Sequence, residues 1–385
     1  MKKFFAILLC LCMIFALVAC DKNDANDDAE TTEAEATTKA PAKKTEAPEE
    51  EEEEPATEAE YKLGMGVVVS MEESTTGTAQ VDATVATVVL DKDGKIVACR
   101  IDAVQNKMTV TDGAVDTAAT FQTKMEKGDA YGMAAAVNYG MDWNGDGVVK
   151  EWYDQAKAFE AYVVGKTVAE VEAIQTKVVE GKGYVIAADD ALLSAGCTIQ
   201  ITDFIAAVAK ACKDDQGVTF KTAATFTLGV AAQSTAAESV AATADAAGTV
   251  KMYSDFAASV VADGKILASL NDAIQPDIAI NVDGECEPAA FPGTKRERKE
   301  GYNMATYGAN LDPNGDGKVL EWYLQSEAFS KHVVGMTGAE VAAMATEANF
   351  LGYQMTTDAD LLAAGCTIQI TAIKAVVAQS VTNAR

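Results

Sequence analysis

Two loops of this chain carry oxygen ligands at the spacing that calcium requires. Asp142-x-Asn144-x-Asp146-Gly147 puts side-chain oxygens at loop positions 1, 3 and 5, with a glycine at position 6 for the sharp turn. Asp312-x-Asn314-x-Asp316-Gly317 repeats the arrangement. The next residue, Val148 or Lys318, would give a backbone carbonyl, and Glu151 or Glu321 at position 10 would close the loop. Tyr153 and Tyr323 stand at position 12, where an EF-hand has its bidentate acid. The spacing predicts a short calcium loop of modest affinity, on the order of 10⁻⁴ to 10⁻³ M. Its role would be structural, fixing the start of the helix that follows. The competing reading is a turn rich in Asn-Gly and Asp-Gly that holds no metal.

Composition argues against hydrolase chemistry of the usual kinds. His332 is the single histidine, and Tyr162 stands at its counterpart in the first copy described below, so no shared Ser-His-Asp, Cys-His or histidine-built metal site exists. No CxxC pair with zinc spacing occurs. Cys197 and Cys366 lie among Ala and Ile and read as buried apolar thiols. The net charge of −27 leaves no basic stripe for a phosphate backbone, which argues against nucleic acid as a partner.

The elements that must position these residues are written twice, about 170 residues apart, far beyond the ~20–50-residue periods of solenoids. Asp93-Gly94-Lys95-Ile96 returns as Asp263-Gly264-Lys265-Ile266, and Thr123-Lys124 as Thr294-Lys295. Both calcium-type loops run into Glu-Trp-Tyr, and Ala195 to Thr202 is reproduced without change at Ala364 to Thr371. Each copy is therefore expected to be a whole domain, 61–215 and 222–385. Alternation over 85–104 and 257–274 predicts an antiparallel hairpin in each copy. The stripe Trp152, Ala156, Phe159, Val163 predicts a helix over 151–164, and Thr167 with Glu170 caps a short helix over 168–174. Residues 197–201 alternate like a strand, and Thr202-Asp203 is expected to cap a final helix. The fold class is α+β, each copy combining an antiparallel sheet with two or three helices.

The late loop, Ala195-Gly196-Cys197-Thr198 and its copy Ala364-Gly365-Cys366-Thr367, together with the Asp-Gly-Lys-Ile hairpin, resembles the FMN-binding domain of exported bacterial flavoproteins. That resemblance implies an FMN site at Thr198, Thr367, Gly196 and Gly365. In the family a threonine hydroxyl carries FMN through a phosphoester installed by a flavin transferase, and its motif is closer to Asp-x-x-Ser/Thr-Gly-Ala-Thr-Ser/Thr. Here cysteine replaces the alanine and isoleucine follows the threonine, which favours non-covalent FMN. The resemblance further implies electron transfer, with a membrane oxidoreductase as partner. The alternative is a calcium-stabilised surface lipoprotein that binds or supports without a redox cofactor.

Residues 1–19 combine a Met-Lys-Lys start with a short apolar run ending Leu17-Val18-Ala19, and read as an export signal. Leu17-x-x-Cys20 is similar to a bacterial lipobox, making Cys20 the lipidated residue and membrane anchor. Residues 20–60 form the tether. Between 21 and 60 sixteen Asp/Glu stand against four Lys, with almost nothing apolar, so the segment is expected to stay unfolded. The expected address is the outer face of the cell membrane.

Overall fold

A computed structural model describes residues 57–135, 142, 147–307 and 319–385. The signal, Cys20, the tether as far as residue 56, and the loop residues Asn144, Asp146, Asp312, Asn314, Asp316 and Lys318 lie outside the described residues. Pro55–Arg385 clusters as one compact unit of α+β structure. Among the described residues no helix is long and apolar enough to cross a membrane.

In the first half, β1 (Ala59–Ser70), β2 (Thr78–Asp91) and β3 (Ile96–Thr109) form an antiparallel meander. Then come α1 (Lys124–Lys127), α2 (Trp152–Val163), α3 (Val168–Glu172), a small hairpin β4 (Thr176–Val178) and β5 (Val185–Ala187), α4 (Asp190–Ser194) and α5 (Thr202–Cys212). Strand β6 (Val218–Thr222) joins the first sheet beside β1, giving the order β3-β2-β1-β6. The second half supplies β7 (Thr227–Thr235), β8 (Gly248–Val250), β9 (Tyr253–Ala262), β10 (Lys265–Ile274), β11 (Ile278–Ile280) and β12 (Cys286–Pro288). These arrange as sheets β10-β9-β7 and β12-β11-β8. Helices α6 (Lys295–Arg298), α7 (Met304–Tyr307), α8 (Trp322–His332) and α9 (Gly338–Ala342) follow, then β13 (Thr346–Ala348), β14 (Gln354–Thr356), α10 (Ala359–Ala363) and α11 (Thr371–Thr382).

Period-two alternation gives each main sheet two apolar faces. Leu63, Met65 and Val67 of β1, Val81 and Val85 of β2, Leu228 and Val230 of β7 and Phe256 and Val260 of β9 share one core between the sheets. Strand β3 runs beside β7 and β6 beside β10, so the sheets enclose that core from both edges. The opposite faces carry helices. Trp152, Phe159, Phe204 and Val208 cover Val88 and Ile101, while Trp322, Phe329, Ile373 and Val377 cover Ala257 and Ile266. Both sheets are thus covered on both faces, and the two halves share a core.

The helices sit close because glycine permits it. A Cβ at Gly66 would collide with the Ala207 carbonyl of α5, and one at Gly229 with the Ser380 carbonyl of α11.

Two local expectations fail. Residues 197–201 and 366–370 form no strand. A buried glutamine side chain, Gln155 or Gln325, takes up their leading N–H groups, where a neighbouring strand was expected. Nor do Thr202 and Asp203 cap α5. The cap position is Ile201, with Ile370 at α11, and neither helix start has a side-chain cap. The tether also ends slightly early, since β1 begins at Ala59.

Candidate functional site

Both halves build the same set of side chains beside a cleft. The set starts at a buried aspartate. Asp102 Oδ1 accepts from Ala103 N at 2.7 Å and Met125 N at 3.2 Å, and Asp272 Oδ1 accepts from Ala273 N at 2.7 Å and Arg296 N at 3.1 Å. Each carboxyl thereby docks a one-turn helix, α1 or α6, onto the edge of a sheet. Desolvation pushes both carboxyls up, Asp102 to about 7 and Asp272 to about 6, against the pull of the Thr123 hydroxyl, the Arg296 charge with the Thr294 hydroxyl, and the backbone donors. Thr123 with Glu126, and Thr294 with Glu297, close capping boxes on the same helices.

The docked helix presents a lysine. Lys124 Nζ lies 5.2 Å from the Tyr131 ring centroid and 5.6 Å from that of Trp152. Lys295 Nζ lies 5.2 Å from Tyr302 and 5.1 Å from Trp322. These are cation–π distances. Trp152 and Trp322 are buried, each in the core beneath its helix, so only part of either indole faces the cleft.

Glu151 and Glu321 hold the segment carrying the cleft methionines. The Glu151 carboxylate accepts from Met133 N at 2.9 Å and Ala134 N at 3.0 Å, and Glu321 accepts from Met304 N at 2.8 Å and Ala305 N at 3.2 Å. Both expected closing ligands thus already serve backbone donors. Asp142 Oδ2 accepts from Gly147 N at 2.7 Å, while its Oδ1 is buried without a hydrogen-bond partner. Val148 is exposed. Among the described residues no group of three acidic, histidine or cysteine side chains converges as a metal site.

The threonine loops lie on the other side of each cleft. Gln155 Oε1 accepts from Thr198 N at 2.8 Å, Thr198 Oγ1 at 3.2 Å and Ile199 N at 3.0 Å, and its Nε2 donates to Lys150 O at 2.8 Å. Gln325 repeats this with Thr367 N at 2.7 Å, Thr367 Oγ1 at 3.2 Å and Leu320 O at 2.7 Å. Gly196 and Gly365 turn the chain into these loops with φ of +92° and +88°, the left-handed region that favours glycine. Cys197 and Cys366 are fully buried, and burial pushes both thiols up to about 12, out of reach of thiolate chemistry.

The first cleft, of about 1200 Å³, is lined by Lys124, Tyr131, Met133, Trp152, Tyr184 and Ile199 among others. The second, of about 380 Å³, is lined by Lys295, Met304, Trp322, Tyr353, Thr367 and Ile368 among others. Thr367 faces its cleft directly, whereas Thr198 is represented at the first cleft by its neighbour Ile199. Asp203 adds a carboxyl to the first cleft where the second has Ala372.

No protein-family model matches the chain, and no solved structure does. The chain is 31% identical over 126 residues to chlorophenol reductase of Desulfitobacterium hafniense. That match spans 28% of this chain and 36% of the relative, so the chain covers about a third of the relative's length.

The residues that define the clefts include several that spacing alone left unnoticed. Asp102, Lys124 and Gln155 recur as Asp272, Lys295 and Gln325. Identity between copies was the available signal: a polar residue kept twice at a position that turns out to be buried is held by its partners. Chemically, the first cleft offers Lys107 and Lys124 beside the carboxyls of Glu72, Glu73, Asp82 and Asp203, and the second Lys295 and the Thr367 hydroxyl beside Glu238 and Asp255, with aromatic surface and the uncapped start of an eleven- or twelve-residue helix at each. Those groups suit a phosphorylated planar ligand.

Proposed function

We propose that this chain is a lipid-anchored electron carrier of the cell envelope that binds FMN in its two matched clefts, with Cys20 as the anchor. The observation that carries the reading is the recurrence of one constellation, a lysine over a Trp–Tyr pair facing a Thr loop held by a buried glutamine. FMN, when bound, supplies the acceptance and release of electrons. The protein's own groups would bind and orient it. Lys124 and Lys295 would meet negative charge, the free N–H groups at the starts of α5 and α11 would receive the phosphate, and Tyr131, Tyr184 and Tyr353 offer ring surface. Thr198 and Thr367, whose hydroxyl protons go to a glutamine oxygen, would serve FMN non-covalently as hydrogen-bond acceptors. The likeness to a protein named chlorophenol reductase supports a redox role. A membrane oxidoreductase is the fitting electron donor.

The test is equilibrium binding of FMN to the purified full chain, followed by flavin absorbance and quenching of flavin fluorescence. Two equivalents should bind, and Lys124→Gln or Lys295→Gln should each weaken one. Absence of binding at millimolar FMN would remove the redox reading. A calcium-supported, non-redox surface protein is then the account left standing. The unpartnered Oδ1 of Asp142 favours a cation at the first loop, and a chelator that lowers the melting temperature would support it.

A further inference from the structure

Beside α8 the second copy has exchanged three residues of the first, and all three exchanges line one pocket. Tyr162, Lys166 and Ile174 correspond to His332, Met336 and Met344. In the first copy side chains occupy this region: the Tyr162 hydroxyl donates to Asp189 Oδ2 at 2.7 Å, and Lys166 Nζ lies 4.3 Å from the Tyr162 ring centroid. In the second copy the shorter imidazole stops 3.6 Å from Oδ2 of Asp358, the counterpart of Asp189. His332 Nε2 is buried there and makes no hydrogen bond. His332, Met336, Met344 and Asp358 line a pocket of about 490 Å³. Asp358 spends its other oxygen, Oδ1, on the first N–H groups of α10, leaving Oδ2 toward the pocket.

Met336 and Met344 also pack against the core of their half. Core filling asks only for volume, and it gives no reason to place beside them an imidazole with an orphaned nitrogen. The exchanges remove a fixed ammonium and introduce two thioethers and one imidazole. Thioether sulfur selects Cu(I) among biological cations, and imidazole accompanies it well. We propose that this pocket binds Cu(I) through the His332 imidazole and the Met336 and Met344 sulfurs, with Asp358 balancing the charge. No electron transfer is needed for the binding, since the metal arrives and stays as Cu(I). The site is independent of the flavin clefts.

His332 is the single imidazole of the chain, so its NMR resonances report on this pocket alone. One equivalent of Cu(I), or of redox-inert Ag(I), added to the full chain should shift the His332 ring signals and the methyl signals of Met336 and Met344. Metal taken up by the half-buried thiols of Cys212 or Cys286, with the imidazole unmoved, would overturn the proposal. His332→Tyr combined with Met336→Lys and Met344→Ile installs residues that the first copy already accommodates, and should abolish the equivalent. Met336→Leu with Met344→Leu keeps the packing and removes only sulfur. It should weaken Cu(I) by more than the ~10–100-fold typical of outer-shell partners. Unchanged affinity in that variant would refute the site even if the triple variant failed to fold.

Discussion

At the scale of single residues, buried polar groups set the clefts. Gln155 and Gln325 each satisfy backbone groups from two segments. Replacing Gln155 by Leu strands the Thr198 and Ile199 N–H groups and the Lys150 carbonyl, each at about 1–3 kcal/mol where water cannot reach. Urea unfolding should show a lower midpoint at unchanged slope, and a midpoint equal to wild type would contradict the role. Asp102 and Asp272 make a second prediction, in pH. Burial raises their folded-state pKa values to about 7 and about 6, above the ~3.9 of an unfolded aspartate. The native state therefore keeps protons that the unfolded chain has released. Stability from these groups is full near pH 4, falls as pH rises through about 6 to 7, and is level beyond. The slope is up to about 1.4 kcal/mol per pH unit per group. Asp102→Asn with Asp272→Asn should flatten that part of a stability–pH profile, and an unaltered slope would show that the carboxyls are ionised throughout.

Among the elements, those governed by local rules were legible. The hairpins around Asp93-Gly94 and Asp263-Gly264, the Trp-Ala-Phe-Val stripe of α2 and the Thr167–Glu170 capping box follow from alternation, helical periodicity and cap chemistry, and each occurs where those rules put it. The strand expected over 197–201 failed because alternation cannot tell a ladder from a loop whose N–H groups a distant glutamine accepts. The same limit hid the clefts, since Lys124 meets Trp152 only when Asp102 docks α1 onto β3. The flattening of α5 and α11 onto the sheets is likewise a long-range fact, written in two glycines. Gly66→Ala or Gly229→Ala should push the helix off its strand and cost about 1–3 kcal/mol or more. Faster amide exchange in α5 or α11, respectively, would report it, and unchanged protection would show that the contact yields without cost.

The whole molecule is held by ties between its copies. Arg296 forms a two-pronged pair with Asp214, at 3.1 and 3.2 Å, both side chains being nearly buried, and also donates to the Gln216 carbonyl at 2.8 Å. Arg385 reaches Glu160 of the first half at 2.8 and 3.0 Å. With the shared core, these contacts predict one unfolding transition for residues 55–385. Arg296→Met leaves the Asp214 charge uncompensated and should cost about 3–5 kcal/mol, still in one step. Two separated transitions would mean that the copies fold alone. A molecule built this way holds its clefts in fixed relation, which would suit the proposed passage of electrons between two flavins. The decisive measurement is isothermal titration of the full chain with FMN. Two equivalents are expected, with the affinity of one weakened in each of Lys124→Gln and Lys295→Gln. A flat titration, or binding indifferent to both lysines, would contradict that expectation.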